Sequence, residues 1–185
     1  FRFATHRKRR KITVFHKANI MKLSDGVFRK NAQQVHREDY PNIDLDDMII
    51  DAGCMRLVQD PSRFDILLME NLYGDVVSDL CAGMVGGLGV TPGANYGEHG
   101  AVFEAVHGSA PDIAGQGLAN PLALLMSAEM MLHYLGDQHE DRSADQVAER
   151  IRRAYEGALE NGEKTRDLGG ELSTDQFAQA VIARL

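Results

Sequence analysis

Three aspartates have the side-chain type and spacing to hold a hard divalent cation. Asp75 and Asp79 lie four residues apart in the run Asn71-Leu72-Tyr73-Gly74-Asp75-Val76-Val77-Ser78-Asp79. On a helix beginning near Gly74 both carboxylates would share one face, one turn apart. Like charges at that spacing disfavour a bare helix by about 0.2–0.5 kcal/mol, and a bound Mg²⁺ or Mn²⁺ reverses the sign. Asp51, in Ile49-Ile50-Asp51-Ala52-Gly53, follows an apolar stretch and offers a third oxygen ligand. Spacing alone favours a plainer reading, in which Asp75 caps the helix and Asp79 is a solvated carboxylate. Zinc does not suit the chain, since no His/Cys cluster at ligand spacing is present.

Two further segments have chemical potential. Lys17 stands at the end of an apolar run, one residue past His16 and two before Asn19. An isolated strand-end lysine is usually a solvated charge. Beside a metal ion and away from solvent, a lysine amine can work as a base near neutral pH. The loop His107-Gly108-Ser109-Ala110-Pro111 is rich in small residues and can offer backbone N–H groups to a phosphate or nucleoside, or can be merely a turn. GxGxxG is absent, because the pair Gly87 and Gly89 lacks its third glycine, so the dinucleotide fingerprint of a Rossmann fold is missing.

Alternating strand and helix patterns must position these groups. Ile12–Phe15 is a β-branched and aromatic strand, Ser24–Glu38 a helix, Asp46–Ile50 a second strand, and Ala52–Val58 a short helix stopped by Asp60-Pro61. Phe64–Met69 is apolar apart from Asp65 and reads as a strand buried on both faces. Seven glycines between Gly83 and Gly100 end the aspartate-bearing helix and open a long irregular stretch, the natural hinge. Beyond it, Pro121–Leu135 is an apolar helix for core or interface, Ala144–Leu159 an amphipathic surface helix, and Ser173 caps a last helix over Thr174–Leu185. The fold class is α/β.

The chain has 185 residues, 44% of them apolar, enough for a sizeable core. A net charge of −7 hides an asymmetry: Arg2, Arg7, Lys8, Arg9, Arg10 and Lys11 are six of its 20 basic residues, leaving 14 against 27 acidic ones. A helix end leading into the first strand explains that basic run more simply than nucleic-acid binding does. No apolar run reaches 18 residues and the N-terminus has no signal-like core, so neither membrane insertion nor secretion is expected. Cys54 and Cys81, with no CxxC pattern, are expected to be buried free thiols in a reducing compartment, hence a cytoplasmic protein, or one of the mitochondrial matrix if eukaryotic.

Three long motifs, in fixed order, resemble the metal-dependent β-decarboxylating dehydrogenases, the isocitrate and isopropylmalate dehydrogenase family. They are His16-Lys17-Ala18-Asn19-Ile20-Met21-Lys22-Leu23-Ser24-Asp25-Gly26, the Asn71–Asp79 run, and Phe103-Glu104-Ala105-Val106-His107-Gly108-Ser109-Ala110-Pro111-Asp112-Ile113-Ala114-Gly115. The resemblance implies the isopropylmalate dehydrogenase-like two-domain fold, not a Rossmann fold. Residues 1–85 would be the remainder of the small, dimerising domain, and 86–185 the C-terminal part of the large domain. Members are about twice as long, so the chain, which starts without Met, reads as a C-terminal portion expected to be inactive by itself.

The resemblance also assigns roles. Lys17 would be the general base and, with Asn19 and Asp51, would contact substrate; Asp51, Asp75 and Asp79 would hold Mg²⁺ or Mn²⁺. Glu104 and the loop from His107, Gly108, Ser109, Ala110 and Pro111 through Asp112 and Ile113 would surround the adenosine of NAD, and Asn120 would contact the adenine. Asp112-Ile113 implies NAD, because a carboxylate accepts a hydrogen bond from the ribose 2′-OH and repels a 2′-phosphate, while NADP-binding members carry Lys and Tyr there. His16, together with Lys164-Thr165-Arg166-Asp167-Leu168-Gly169-Gly170, most resembles the NAD-dependent isocitrate enzymes of the tricarboxylic acid cycle, whereas isopropylmalate enzymes usually have Asp in place of His16. Homoisocitrate dehydrogenase is the close alternative, and a non-catalytic regulatory subunit is a reading of another class. A homodimer or higher homo-oligomer is implied, with Met55, Leu57, Leu80, Met84 and Val85 at a two-fold interface. Asp51 would reach the neighbour's metal, so that the Lys17 and Asp51 of one site come from different chains.

Overall fold

The structure is a computed structural model describing residues 1–185, and it divides into two compact units, Phe1–Leu80 and Cys81–Leu185. The first unit contains helix α1 (Arg2–His6), strand β1 (Lys11–His16), helix α2 (Ser24–Asp39), strand β2 (Asp44–Ile49), helix α3 (Ile50–Gln59) and strand β3 (Ile66–Leu68). Helix α4 (Asn71–Val85) begins here, and its residues to Leu80 belong to this unit.

The sheet is parallel throughout, in the order β2-β1-β3. Its central strand therefore has neighbours on both sides, and Ile12, Thr13, Val14, Phe15 and His16 are all buried. A β-branched and aromatic sequence suits such a strand. β3 starts only after Asp65 and is shorter than the expected strand Phe64–Met69, and Ile66, Leu67 and Leu68 are each only half-buried. It is an edge strand paired with β1 alone, which leaves one flank open.

The basic N-terminal run is tied into this sheet. The Asp65 carboxylate accepts the main-chain N–H groups of Arg10 and Lys11 and pairs with the Arg9 guanidinium, while Lys11 Nζ reaches Asp46. Ala4 of α1 is fully buried in a cluster with Ile12 and Ile43, which holds the short helix against the sheet.

The second unit holds the end of α4, strand β4 (Pro92–Tyr96), strand β5 (Ala101–Ala105), helix α5 (Leu122–His139), helix α6 (Arg142–Glu160) and helix α7 (Thr174–Ile182). α4 stops where Gly86 takes a φ of +126°, a conformation open to glycine. The stretch expected to be irregular contains an antiparallel hairpin, Pro92 opposite Ala105 through Tyr96 opposite Ala101. Pro92 stands at its first position, where a missing N–H is tolerated.

Leu122 of α5, Ala154, Tyr155 and Ala158 of α6, and Phe177 and Val181 of α7 form the core of this unit. Ser173 caps α7 in a capping box with Gln176, as its position in the sequence suggests. Neither cysteine is in a disulfide, and both are half-buried and not fully enclosed. No helix is long and apolar enough to cross a membrane.

Candidate functional site

In open parallel α/β sheets, ligands collect beyond the carboxyl ends of the strands. Lys17 directly follows β1, Asp51 lies in the first turn of α3 directly after β2, and α4 with Asp75 and Asp79 follows β3. A cavity of 330 Å³ lies between the turn after β1 and the start of α4, with Met21, Asp25, Phe28, Glu70 and Tyr73 among its walls.

The turn after β1 is tightly held. The Lys17 carbonyl accepts the N–H groups of Ile20 and Met21 at 2.9 and 2.8 Å, and Lys17 N–H donates to Asp25 Oδ2 at 2.8 Å. Lys17 Nζ donates to Asp51 Oδ1 at 2.6 Å. That hydrogen bond, with help from backbone N–H groups in the first turn of α3, holds the Asp51 carboxyl below its ordinary range. Lys17 and Asp51 are thus partners within one chain, which corrects the expectation that the two in a site come from different chains. The physical reason is the parallel register: β1 and β2 run side by side and end together, His16 opposite Ile49. Asn19 is exposed in the same turn.

α4 starts at Asn71, three residues before Gly74, and its cap is Glu70, whose carboxylate accepts the N–H groups of Leu72 and Tyr73 at 3.0 and 3.2 Å. Asp75 is therefore not the cap, which removes the plainer reading for that residue. Asp75 and Asp79 are both exposed on the helix, one turn apart. No group of three His, Cys, Asp or Glu side chains in the chain is gathered closely enough to hold a metal, so Asp51 does not join Asp75 and Asp79 here. A pair of aspartates fits Mg²⁺ or Mn²⁺, which commonly take one or two carboxylates and fill the remaining positions with water and substrate.

A buried network behind Lys17 was not evident as a unit in the sequence. His16 is 5% exposed, its Nδ1 accepts the Ala18 N–H at 3.1 Å, and its Nε2 meets Asp47 Oδ2 at 3.0 Å. Asp47 is held in turn by Arg29 at 2.9 Å. Burial pushes the Asp47 carboxyl up, but hydrogen bonds from Arg29 and His16 outweigh it and leave the group below its ordinary range. The signal available was a histidine closing an apolar strand, where a buried ring needs partners for both nitrogens.

The second unit holds the candidate cofactor residues. Glu104 is exposed on β5; its carboxylate accepts Asn95 Nδ2 at 2.9 Å and its main-chain carbonyl accepts Ser127 Oγ at 2.7 Å. His107, Gly108, Ser109, Ala110, Pro111 and Asp112 form an exposed loop after β5, and Ile113 is half-buried. Ala110 takes the left-handed conformation, with φ 42°, before the single helical turn Pro111–Ile113. A residue with a Cβ adopts that geometry at a cost of about 1–2 kcal/mol. The open main chain and the free-standing Asp112 carboxylate suit a ribose diol and its phosphate.

Asn120 is buried, and its side chain is occupied at both ends: Oδ1 accepts the Leu122 N–H at 3.0 Å and Nδ2 donates to Asp167 Oδ2 at 2.9 Å. Asp167 is itself held by Thr165 Oγ1, and the Thr174 hydroxyl donates to the Ala119 carbonyl, so the C-terminal turn braces this segment.

A sequence profile described as isocitrate/isopropylmalate dehydrogenase matches residues 1–181. The chain is 48% identical to a 3-isopropylmalate dehydrogenase of Archaeoglobus fulgidus, across all of this chain and 54% of that protein. It is also 48% identical to a mitochondrial regulatory subunit of the NAD isocitrate dehydrogenase of Dictyostelium discoideum, across all of this chain and 51% of the relative. The crystal structure of isocitrate dehydrogenase from Methylococcus capsulatus superposes with a TM-score of 0.90 at 45% identity, covering 99% of this chain and 52% of that one. The chain spans about half the length of these relatives.

Proposed function

The chain belongs to the isocitrate/isopropylmalate dehydrogenase family, and from that premise we propose that it is part of an NAD-dependent isocitrate dehydrogenase, carrying the metal, acid/base and adenosine groups. The observation that carries this reading is the placement of Lys17 with Asp51, and of the Asp75/Asp79 pair, after successive strands of one parallel sheet.

In this reading Asp75 and Asp79 hold Mg²⁺ or Mn²⁺, with Asp51 of a second copy completing the carboxylates. When bound, the ion supplies Lewis acidity toward the substrate's 2-hydroxyl and adjacent carboxylate. Lys17 Nζ would accept the substrate hydroxyl proton and the Asp51 carboxylate would stabilise the ammonium so formed, while bound NAD would supply the hydride acceptor. The β-carboxyl then departs as CO₂, and the product carbon takes up a proton. The His107–Ile113 loop holds the adenosine, Asp112 accepts from the ribose hydroxyl, and Glu104 and the Asn120 main chain border the same pocket.

The His16-Lys17 pair fits isocitrate and homoisocitrate alike, and the likeness of Lys164–Gly170 to the isocitrate enzymes makes isocitrate the reading, with homoisocitrate and 3-isopropylmalate as the alternatives. A regulatory role, which the name of the Dictyostelium relative carries, is disfavoured because Lys17, Asp51, Asp75 and Asp79 are all present. Steady-state assays of the full-length gene product with the three hydroxy acids and NAD test the reading. Turnover should be greatest with isocitrate and should need Mg²⁺ or Mn²⁺. The Asp75→Asn/Asp79→Asn double variant should fold and lose that turnover, because an amide is a neutral and weaker ligand. A double variant with normal metal dependence would remove the ligand assignment, and a wild-type chain inactive on all three acids would favour the regulatory role.

A further inference from the structure

We infer that Asp25 and His16 are positioning residues, which aim the Lys17 side chain by pinning both peptide planes that flank its Cα; this rests on the assignment of Lys17 as proton acceptor. The plane before Lys17 is fixed through its N–H, which donates to Asp25 Oδ2 at 2.8 Å. The plane after it is fixed from two sides, because the Ala18 N–H donates to His16 Nδ1 at 3.1 Å and the Lys17 carbonyl accepts from Ile20 and Met21. With both planes held, φ and ψ of Lys17 are set, and so is the direction of its Cα–Cβ bond.

Each pin is itself braced. Asp25, 5% exposed, receives the Ser24 hydroxyl on its other oxygen at 3.0 Å. Because His16 Nδ1 accepts a backbone N–H, its proton sits on Nε2, where it meets Asp47, and Asp47 is held by Arg29. Neither Asp25 nor His16 contacts the Lys17 amine, so both act through the main chain. An error of about 1 Å in placing a reacting group costs on the order of 100-fold in rate.

The test is a double-mutant cycle on kcat in the full-length enzyme. Asp25→Ala removes the acceptor for the Lys17 N–H and should lower kcat by about 10–100-fold while changing KM little. Asp25→Asn keeps an acceptor oxygen and should recover most of that loss, since geometry and not charge is at stake. In the Lys17→Met background, single-turnover rates should show no further loss from Asp25→Ala, because the residue it positions is gone.

Equal losses in both backgrounds, or an Asn variant no better than Ala, would overturn the inference. A Lys17→Met variant with normal kcat would instead remove the underlying assignment. Should Asp25→Ala fail to fold, the same cycle runs on His16. His16→Asn places Oδ1 near Nδ1 and should retain more activity than His16→Gln, which keeps only the Asp47 side; the reverse order would contradict the inference.

Discussion

At the residue scale, the candidate site is a set of charges whose states are fixed by contacts more than by burial. Asp25 shows this most plainly, because it is enclosed and still ionised. Burial pushes its carboxyl up, but hydrogen bonds from the Lys17 N–H and the Ser24 hydroxyl hold it below its ordinary value. A carboxyl depressed in the folded state adds stability above its unfolded pKa of about 4, and that stability fades as pH falls through the lower folded value. The difference in Tm between wild type and Asp25→Asn should therefore be constant from about pH 5 to 7 and should shrink in acid. A gap that widens on acidification would contradict the hydrogen-bond account. Asp112 stands at the other end of the chemistry, exposed on the adenosine loop. Asp112→Lys with Ile113→Tyr should shift the ratio of kcat/KM values from NAD toward NADP by removing the repulsion of a 2′-phosphate. A wild-type enzyme that already prefers NADP would refute the argument.

At the element scale, β1 and α3 fix the distance between Lys17 and Asp51. α3 approaches the sheet closely because Gly53 faces Phe15, where an added Cβ would sit 2.6 Å from the ring. Gly53→Ala should destabilise the protein by about 1–3 kcal/mol and lower kcat, since the helix that moves also carries Asp51. Unchanged denaturant midpoint and kcat would show that α3 does not set the pairing. Most elements were legible because their signals were local: the β-branched run of β1, the apolar period of α2, and Ser173 ahead of α7. The hairpin β4–β5 was not, because Thr91-Pro92-Gly93-Ala94-Asn95 has little strand propensity and its pairing depends on a partner found later in the chain. Register explains the missed pairing of Lys17 with Asp51 as well. The three motifs and the Ile49–Gly53 run located both residues, but only the parallel alignment of β1 and β2 shows that they meet within one chain.

At the scale of the whole molecule, apolar side chains remain in solvent on the elements that carry the aspartates. Met55 of α3 and Val76 of α4 are 50% and 61% exposed, and Val58, Leu72, Met84 and Val85 are exposed as well. Leu57, expected at an interface, is instead 5% exposed and packs inside this chain. Such a surface suits an isologous contact between copies. In the proposed dimer, two features of the single chain support a divided site: Lys17 and Asp51 touch, and Asp51 does not join Asp75 and Asp79. The proposed site therefore draws its Lys17–Asp51 pair from one copy and its Asp75–Asp79 pair from the other. Mixing full-length variants under conditions that exchange protomers tests this most directly. Lys17→Met mixed with Asp79→Asn should restore roughly a quarter of wild-type turnover, because half of the randomly formed dimers keep one intact site. Lys17→Met mixed with Asp51→Asn should restore none, since each site of the mixed dimer then carries one of the two lesions. Recovery in the second mixture, or none in the first despite demonstrated exchange, would contradict the account.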